Sequence, residues 1–417
     1  MELTKVKKYY NDNKLILNCT LVAILFFVNC FVEDFSYLVF SIVGILIIFS
    51  NMRVGFSTLV FCIPYCCLDD YTSIYLFFAC FLVFLMRAYI VMMFFDKKRL
   101  GFPVILSVLL FLGYVFMPIY DYTWSMAIKL VIIALLVAFF YLLLNYKKEL
   151  DIRFNLSVLA LSMMISACFY LTYFISPYMA TKEVWYHNEN FIRFTCLLIN
   201  PNTLAMLCEI CLSFLTYYVL SNKCGWTDVV AYITFSVLGI FTLSKTFLIL
   251  FSIMFILIVI YLLRAFKKQV FSIVISICVI VTIISLVAND FIFTYVNRFM
   301  NADPADLGVG DLLNVVTTGR YDLWRGVIEY MFMNPSVLIF GRGLGAPLVE
   351  SMSAHNFYIS LVYEVGLVGS VLFVGMFLTI YLCYKKQTKT KFDWKILIPM
   401  IIIGMLMMVE DLFLFIY

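Results

Sequence analysis

The chain has 417 residues, of which 65% are apolar and only 13% charged, and its mean hydropathy is +1.04. Water-soluble domains run at about half apolar and about a quarter charged, so this composition excludes a soluble globular protein and makes lipid the solvent for most of the surface. The formal charge of +4 is spread over short loops and forms no basic patch, which argues against a nucleic-acid partner.

In chain order, the first residues, 1–14, are polar, and no small-residue cleavage site follows them. The first apolar run is therefore expected to serve as its own insertion signal. A spanning helix needs about 20 mainly apolar residues. Runs that meet or approach this cover 15–32, 35–50, 54–68, 71–95, 102–120, 124–145, 155–176, 196–221, 226–243, 246–263, 269–288, 356–384 and 396–415. The expected class is an all-α polytopic membrane protein with 12–13 transmembrane helices and one large external loop. Four segments follow: N-terminal helices over 1–176, central helices with a first external loop over 177–288, the large loop over 289–355, and C-terminal helices over 356–417.

Lysine and arginine stay on the cytoplasmic side of a membrane helix pair. Alternate connections hold Lys5, Lys7, Lys8 and Lys14; Arg53; Lys97, Lys98 and Arg99; Lys147, Lys148 and Arg153; Lys223; Arg264, Lys267 and Lys268; and Lys385 to Lys395. The intervening short ones hold Glu33-Asp34, Asp69-Asp70 and Asp121, without a basic residue. The alternation keeps step with thirteen crossings and predicts a cytoplasmic N-terminus. Cysteines such as Cys30, Cys62, Cys80 and Cys208 lie in apolar runs and read as packing residues, not as a disulfide or zinc framework.

Both long loops fall on the outer side in this scheme. The larger contains Tyr321 to Met333, in which Trp324, Val327, Ile328 and Met331 share a helical face. That stripe predicts an amphipathic helix lying on the membrane surface, ended by Asn334-Pro335. Basic residues on this side run against the insertion bias: Lys182, Arg193, Lys245, Arg298, Arg320, Arg325 and Arg342. A guanidinium fork matches phosphate oxygens, so these residues read as candidates for an anionic headgroup, with interfacial snorkelling and loop salt bridges to Asp303, Asp306, Asp311, Asp322 and Glu329 as the alternative. His355 stands at the outer mouth of the span 356–384, after the run Gly341-Arg342-Gly343-Leu344-Gly345, and reads either as a hydrogen-bonded packing residue or, by its pKa range, as a group for proton transfer. Pro201, inside the span 196–221, is expected to break that helix, with Asn200 and Asn202 satisfying the freed backbone. Lys129, Glu209, Glu364, Glu410 and Asp411 are ionisable groups within spans and read either as functional or as buried structural partners.

The run Arg193-Phe194 followed by Asn200-Pro201-Asn202 and Ala205 resembles the first signature of the O-antigen ligase and Wzy-type polysaccharide polymerase superfamily. Thr318-Gly319-Arg320 with Trp324, Asn334-Pro335 and the glycine-rich run is similar to that family's large external loop. His355-Asn356, Tyr358, Leu361, Glu364, Gly366 and Gly369 resemble the signature that follows the loop. Ser244-Lys245 stands where the family usually has serine-arginine, which keeps the charge and loses the fork. The resemblance covers residues 190–380 and implies a GT-C-like architecture in a bacterial inner membrane. It further implies glycan transfer from an undecaprenyl-diphosphate carrier, with a chain-length regulator and a flippase as further partners. On this basis Arg193 and Arg320 are expected to hold the diphosphate, with Lys245, Arg342, Asn202 and Asn356 as substrate contacts and His355 as the group that orients or deprotonates the acceptor. No metal or other cofactor is expected, because guanidinium groups can stabilise the charge growing on the leaving diphosphate. Polymerase and ligase share the donor, and the residues leave that choice open. A transferase using Glu33-Asp34 or Asp69-Asp70 as base, or a flippase for lipid-linked sugar, are the competing expectations.

Overall fold

A computed structural model describes residues 2–68, 70–95, 102–117, 124–146, 149–176, 179, 185–188, 191–198, 200–221, 223–265, 320–346, 356–388 and 394–408. Helices dominate: α1 Glu2–Asn29, α2 Ser36–Phe49, α3 Met52–Cys62, α4 Asp70–Ile90, α5 Phe102–Val115, α6 Trp124–Asn145 and α7 Ile152–Phe169. A two-stranded antiparallel hairpin follows, β1 Trp185–Asn188 and β2 Phe191–Phe194, with Tyr186 opposite Arg193. Then come α8 Pro201–Leu220, α9 Trp226–Phe241, α10 Lys245–Ala265, α11 Arg320–Met333, α12 Pro335–Phe340, α13 Phe357–Thr388 and α14 Leu397–Met407.

That hairpin is the one regular element other than helix among the described residues, as expected of an all-α membrane protein. Among the described residues, six helices are long and apolar enough to cross a membrane, and six shorter apolar helices coincide with other expected spans. The expected span 269–288 lies outside the described residues. Side chains such as Ile16, Phe49, Phe94, Val131 and Val371 point outward over apolar surface, as lipid-facing positions do. The interior combines aromatic packing, with Phe26 stacked on Tyr65 at 4.4 Å between centroids, and short polar links between helices. Asn18 donates to Ser50 and Thr58, Ser57 donates to Asn155, and Asn29 joins Ser36, which joins Ser73. Such links hold helices together where lipid supplies little hydrophobic drive.

The bundle has two chemically distinct ends. At one, Lys14 donates to the Phe49 carbonyl that closes α2, and Lys395 to the Leu220 carbonyl that closes α8. Cations at helix C-termini meet the negative end of the dipole. Arg153 and Asp228, at the starts of α7 and α9, form a two-toothed ion pair at the same end. This is the end at which the charge pattern placed the cytoplasm. At the other end Ser176 donates to Cys30, and Cys196, just after the hairpin, lies 3.0 Å from Ser166 near the end of α7.

Two expectations change on contact with the structure. The span 196–221 is not a helix broken at Pro201. Residues 196–198 form a turn, with Cys196 at φ +58°, and the helix begins at Pro201. Asn200 caps it by accepting from the Asn202 amide at 2.8 Å, and proline at the first helical position loses no hydrogen bond. The amphipathic helix does form, over Arg320–Met333, and ends before Pro335 as expected. Half of its stripe, however, packs on protein: Val327 and Met331 are buried in a cluster with Tyr363 of α13, while Ile328 of the same stripe stays exposed.

Candidate functional site

The sequence-selected residues fall into two groups. The first is built on the hairpin. Arg193 is 6% exposed on β2, and its guanidinium donates to the Thr242 carbonyl at 2.7 Å and to the Asn202 side-chain oxygen at 2.6 Å. Thr242 closes α9, and the tight corner Thr242–Leu243–Ser244 leads directly into Lys245, the first residue of α10. Leu243 takes φ +52° to make that corner, and the Ser244 hydroxyl accepts from the Phe247 amide to start the new helix. Arg193, Asn202 and the turn that carries Lys245 are thus brought together, although 49 residues separate Arg193 from Thr242. The planar fork reaches two acceptors on two helices at once, which an ammonium group does less well.

The second group lies around a break in α13. Gly366 takes φ +67° and ψ −178°, so α13 is two helices joined at a non-helical residue. Beside the break runs the glycine-rich turn. The Arg342 amide donates to the Tyr363 carbonyl at 2.9 Å, and the Gly343 amide to the Glu364 carbonyl at 2.8 Å. A Cβ on Gly341 would stand 2.3 Å from the Glu364 carbonyl oxygen, so only glycine lets the two backbones meet here. The Arg342 guanidinium is exposed, donates to the Tyr363 hydroxyl at 2.9 Å and lies 5.8 Å from the centre of the Tyr330 ring. The phenol oxygen favours the charged form and raises the Arg342 pKa above its ordinary value, so this cation persists at any working pH.

The second group lies far from the basic end of its own helix. α14 starts at the α8 C-terminus, where Lys395 binds Leu220, and Tyr358 at the start of α13 donates to Gly404 further along α14. Within α13, Glu364 precedes Lys385 of the last turn by 21 residues, about 30 Å of helix, so the Arg342 turn lies far from that basic end.

Other expected residues are placed differently. Asn356 is buried, and its side-chain oxygen accepts from the Tyr358 and Ile359 amides, both at 3.1 Å. It is the cap of α13, which leaves that oxygen engaged within the protein. Arg320 opens α11 and is half-buried, seven residues before Val327, or about 10 Å along the helix axis. His355 lies outside the described residues, as do Lys182 and Arg298 and the side chain of His187. Lys129 and Glu364, read separately as ambiguous intramembrane charges, pair with each other at 2.5 Å. Tyr363 and Tyr330, which hold Arg342, were not singled out beforehand, because tyrosines in apolar runs carry no local sign of a ligand role. Among the described residues no three His, Cys, Asp or Glu side chains gather closely enough to hold a metal ion.

Comparison with family models, with curated proteins and with solved structures finds no match to this chain.

Proposed function

We propose that the chain is a membrane glycosyltransferase of the polysaccharide-polymerase kind. It takes a growing glycan from undecaprenyl diphosphate and passes it to an incoming lipid-linked repeat unit on the outer face of the membrane. The observation that carries this reading is the exposed Arg342 guanidinium, held on a backbone-bonded turn beside Tyr363 and Glu364, far along α13 from Lys385 and Lys386. A guanidinium exposed away from the basic end offers its fork to an anionic ligand, and a diphosphate is such a ligand.

In the proposed reaction the acceptor hydroxyl attacks the anomeric carbon, the bond from that carbon to the diphosphate oxygen breaks, and the configuration inverts. The negative charge that grows on the leaving diphosphate meets guanidinium groups already oriented by the protein. His355 takes the hydroxyl proton as general base. Arg342, exposed and held at one side only, has donors to offer a ligand. Arg193 works from behind, fixing the corner that carries Lys245.

The test is the length distribution of surface glycan from cells carrying Arg342→Ala, Arg320→Ala or His355→Ala, with membrane protein levels measured alongside. Collapse of the ladder to single repeat units at normal protein level is the expected result. Complete loss of attached glycan would point to a ligase, which differs only in acceptor. An unchanged ladder in all three variants would remove the proposed site.

A further inference from the structure

We infer that Lys129 on α6 and Glu364 on α13 are positioning residues that hold the Arg342-bearing turn in place, so that the N-terminal half of the chain takes part in the site. The two side chains come from positions 235 apart in sequence and are only 13% and 11% exposed. Glu364 uses both carboxylate oxygens: Oε1 accepts from the Lys129 ammonium at 2.5 Å, and Oε2 accepts from the Gly345 amide at 2.9 Å. Gly345 belongs to the same turn as Arg342. The backbone carbonyl of Glu364 takes the Gly343 amide, and the neighbouring Tyr363 takes both the backbone amide and the guanidinium of Arg342. Tyr114 on α5 adds a second stitch, its hydroxyl shared between the Phe340 and Val365 carbonyls at 2.7 and 2.8 Å.

The physical logic runs from charge to geometry. A carboxylate withdrawn from water at a helix break is costly unless a cation compensates it. Lys129 supplies that cation and holds Glu364 pointing inward. With the side chain so fixed, its second oxygen captures the Gly345 amide, and the turn follows. Because the Arg342 and Gly343 amides are bonded in step to the Tyr363 and Glu364 carbonyls, the turn and the helix break form one unit, which this carboxylate closes at Gly345. Arg342 then leaves the unit at a set angle, over Tyr330.

A pair that merely fills space would behave otherwise. Replacing a buried ion pair by well-packed apolar residues is often neutral for stability, so the fold should tolerate Lys129→Met with Glu364→Met. That variant leaves the Gly345 amide without its acceptor. Lys129→Met with Glu364→Gln keeps an oxygen there and removes both charges. The readout is hydrogen–deuterium exchange of the full-length protein in lipid nanodiscs, followed on the peptide spanning 341–346, with 320–333 as internal reference. Met/Met should speed exchange of that peptide roughly tenfold, the loss of one hydrogen bond, while Met/Gln should fall between that and the parent, since a neutral acceptor remains but Lys129 no longer fixes it. Equal exchange in both double variants would overturn the inference. So would faster exchange throughout the Met/Met protein, because the pair would then be holding the bundle and not the turn. The link to catalysis rests on the proposed transferase reading and is separable from it. A loosened turn with an unchanged glycan ladder sustains the positioning role and removes Arg342 from transfer.

Discussion

Arg193 and Arg342 look alike in the sequence, each a basic residue set against the charge bias of its side of the membrane, yet they live in opposite surroundings. Arg193 is enclosed and faces two acceptors from its own protein, the Thr242 carbonyl and the Asn202 amide oxygen. Arg342 is exposed, and among the described residues its guanidinium meets the Tyr363 phenol and lies over the Tyr330 ring. A buried cation bonded to neutral acceptors is a structural clamp as much as a ligand group. An exposed cation on a rigid turn costs the fold little and keeps most of its donors for something else. The difference is one of burial and partner number, neither of which a motif records.

The largest effect is expected from the backbone that carries Arg342, not from the arginine itself. Gly366→Ala places a Cβ 2.3 Å from the Ile339 carbonyl oxygen at a residue held at φ +67°. Steric overlap and left-handed strain together should cost about 4 kcal/mol, visible as the steepest fall in thermal unfolding temperature in detergent. Arg193→Ala comes next. It strips a charged donor from the buried Thr242 carbonyl and the half-buried Asn202, for about 3 kcal/mol, and Arg193→Lys should recover less than half of that because one ammonium spans both less well. If Arg193→Ala instead left the unfolding temperature unchanged, the clamp would be no clamp, and the contrast with Arg342 would disappear.

Asn200→Ala removes the cap of α8 and should lower stability by about 1 kcal/mol, with Asn200→Asp close to the parent. This separates the cap from the Arg193 clamp, since both act at the same helix start. Smallest in stability is Arg342→Ala, expected within about 0.5 kcal/mol of the parent because the side chain is exposed. Its glycan ladder should nevertheless shorten. A variant that unfolds and a variant that folds without polymerising would together show that the two arginines divide structure from ligand contact.

How far the sequence led can be followed residue by residue. Hydropathy located the apolar helices because each span is a local property of about 20 consecutive residues. It misplaced the start of α8, since Cys196, Leu197 and Leu198 are apolar and buried without being helical. The correct signal was present in Asn200 followed by Pro201, a cap and a first-turn proline, but a hydropathy window does not weigh it. The amphipathic period over Tyr321–Met333 gave the helix correctly and left its partner undetermined: a stripe with Val327 and Met331 fits a lipid surface and Tyr363 equally well until the fold is known. Asn356 shows the same limit, because an asparagine beside a histidine reads as a ligand group or a cap with equal ease.

From the sequence alone came the membrane class, the places of the helices, the grouping of the loop lysines and arginines, and the positions where charge sits in apolar surroundings. These follow from composition and from periods of a few residues. Only the tertiary structure decided which charge meets which partner. Lys129 finds Glu364 across 235 residues and Arg193 finds Thr242 across 49. It also decided that Gly341 and Gly366 are required where two backbones touch. The reason is physical: hydropathy and helix propensity act between neighbours along the chain, while the enclosure of a charge is set by helices that meet only after the bundle has packed.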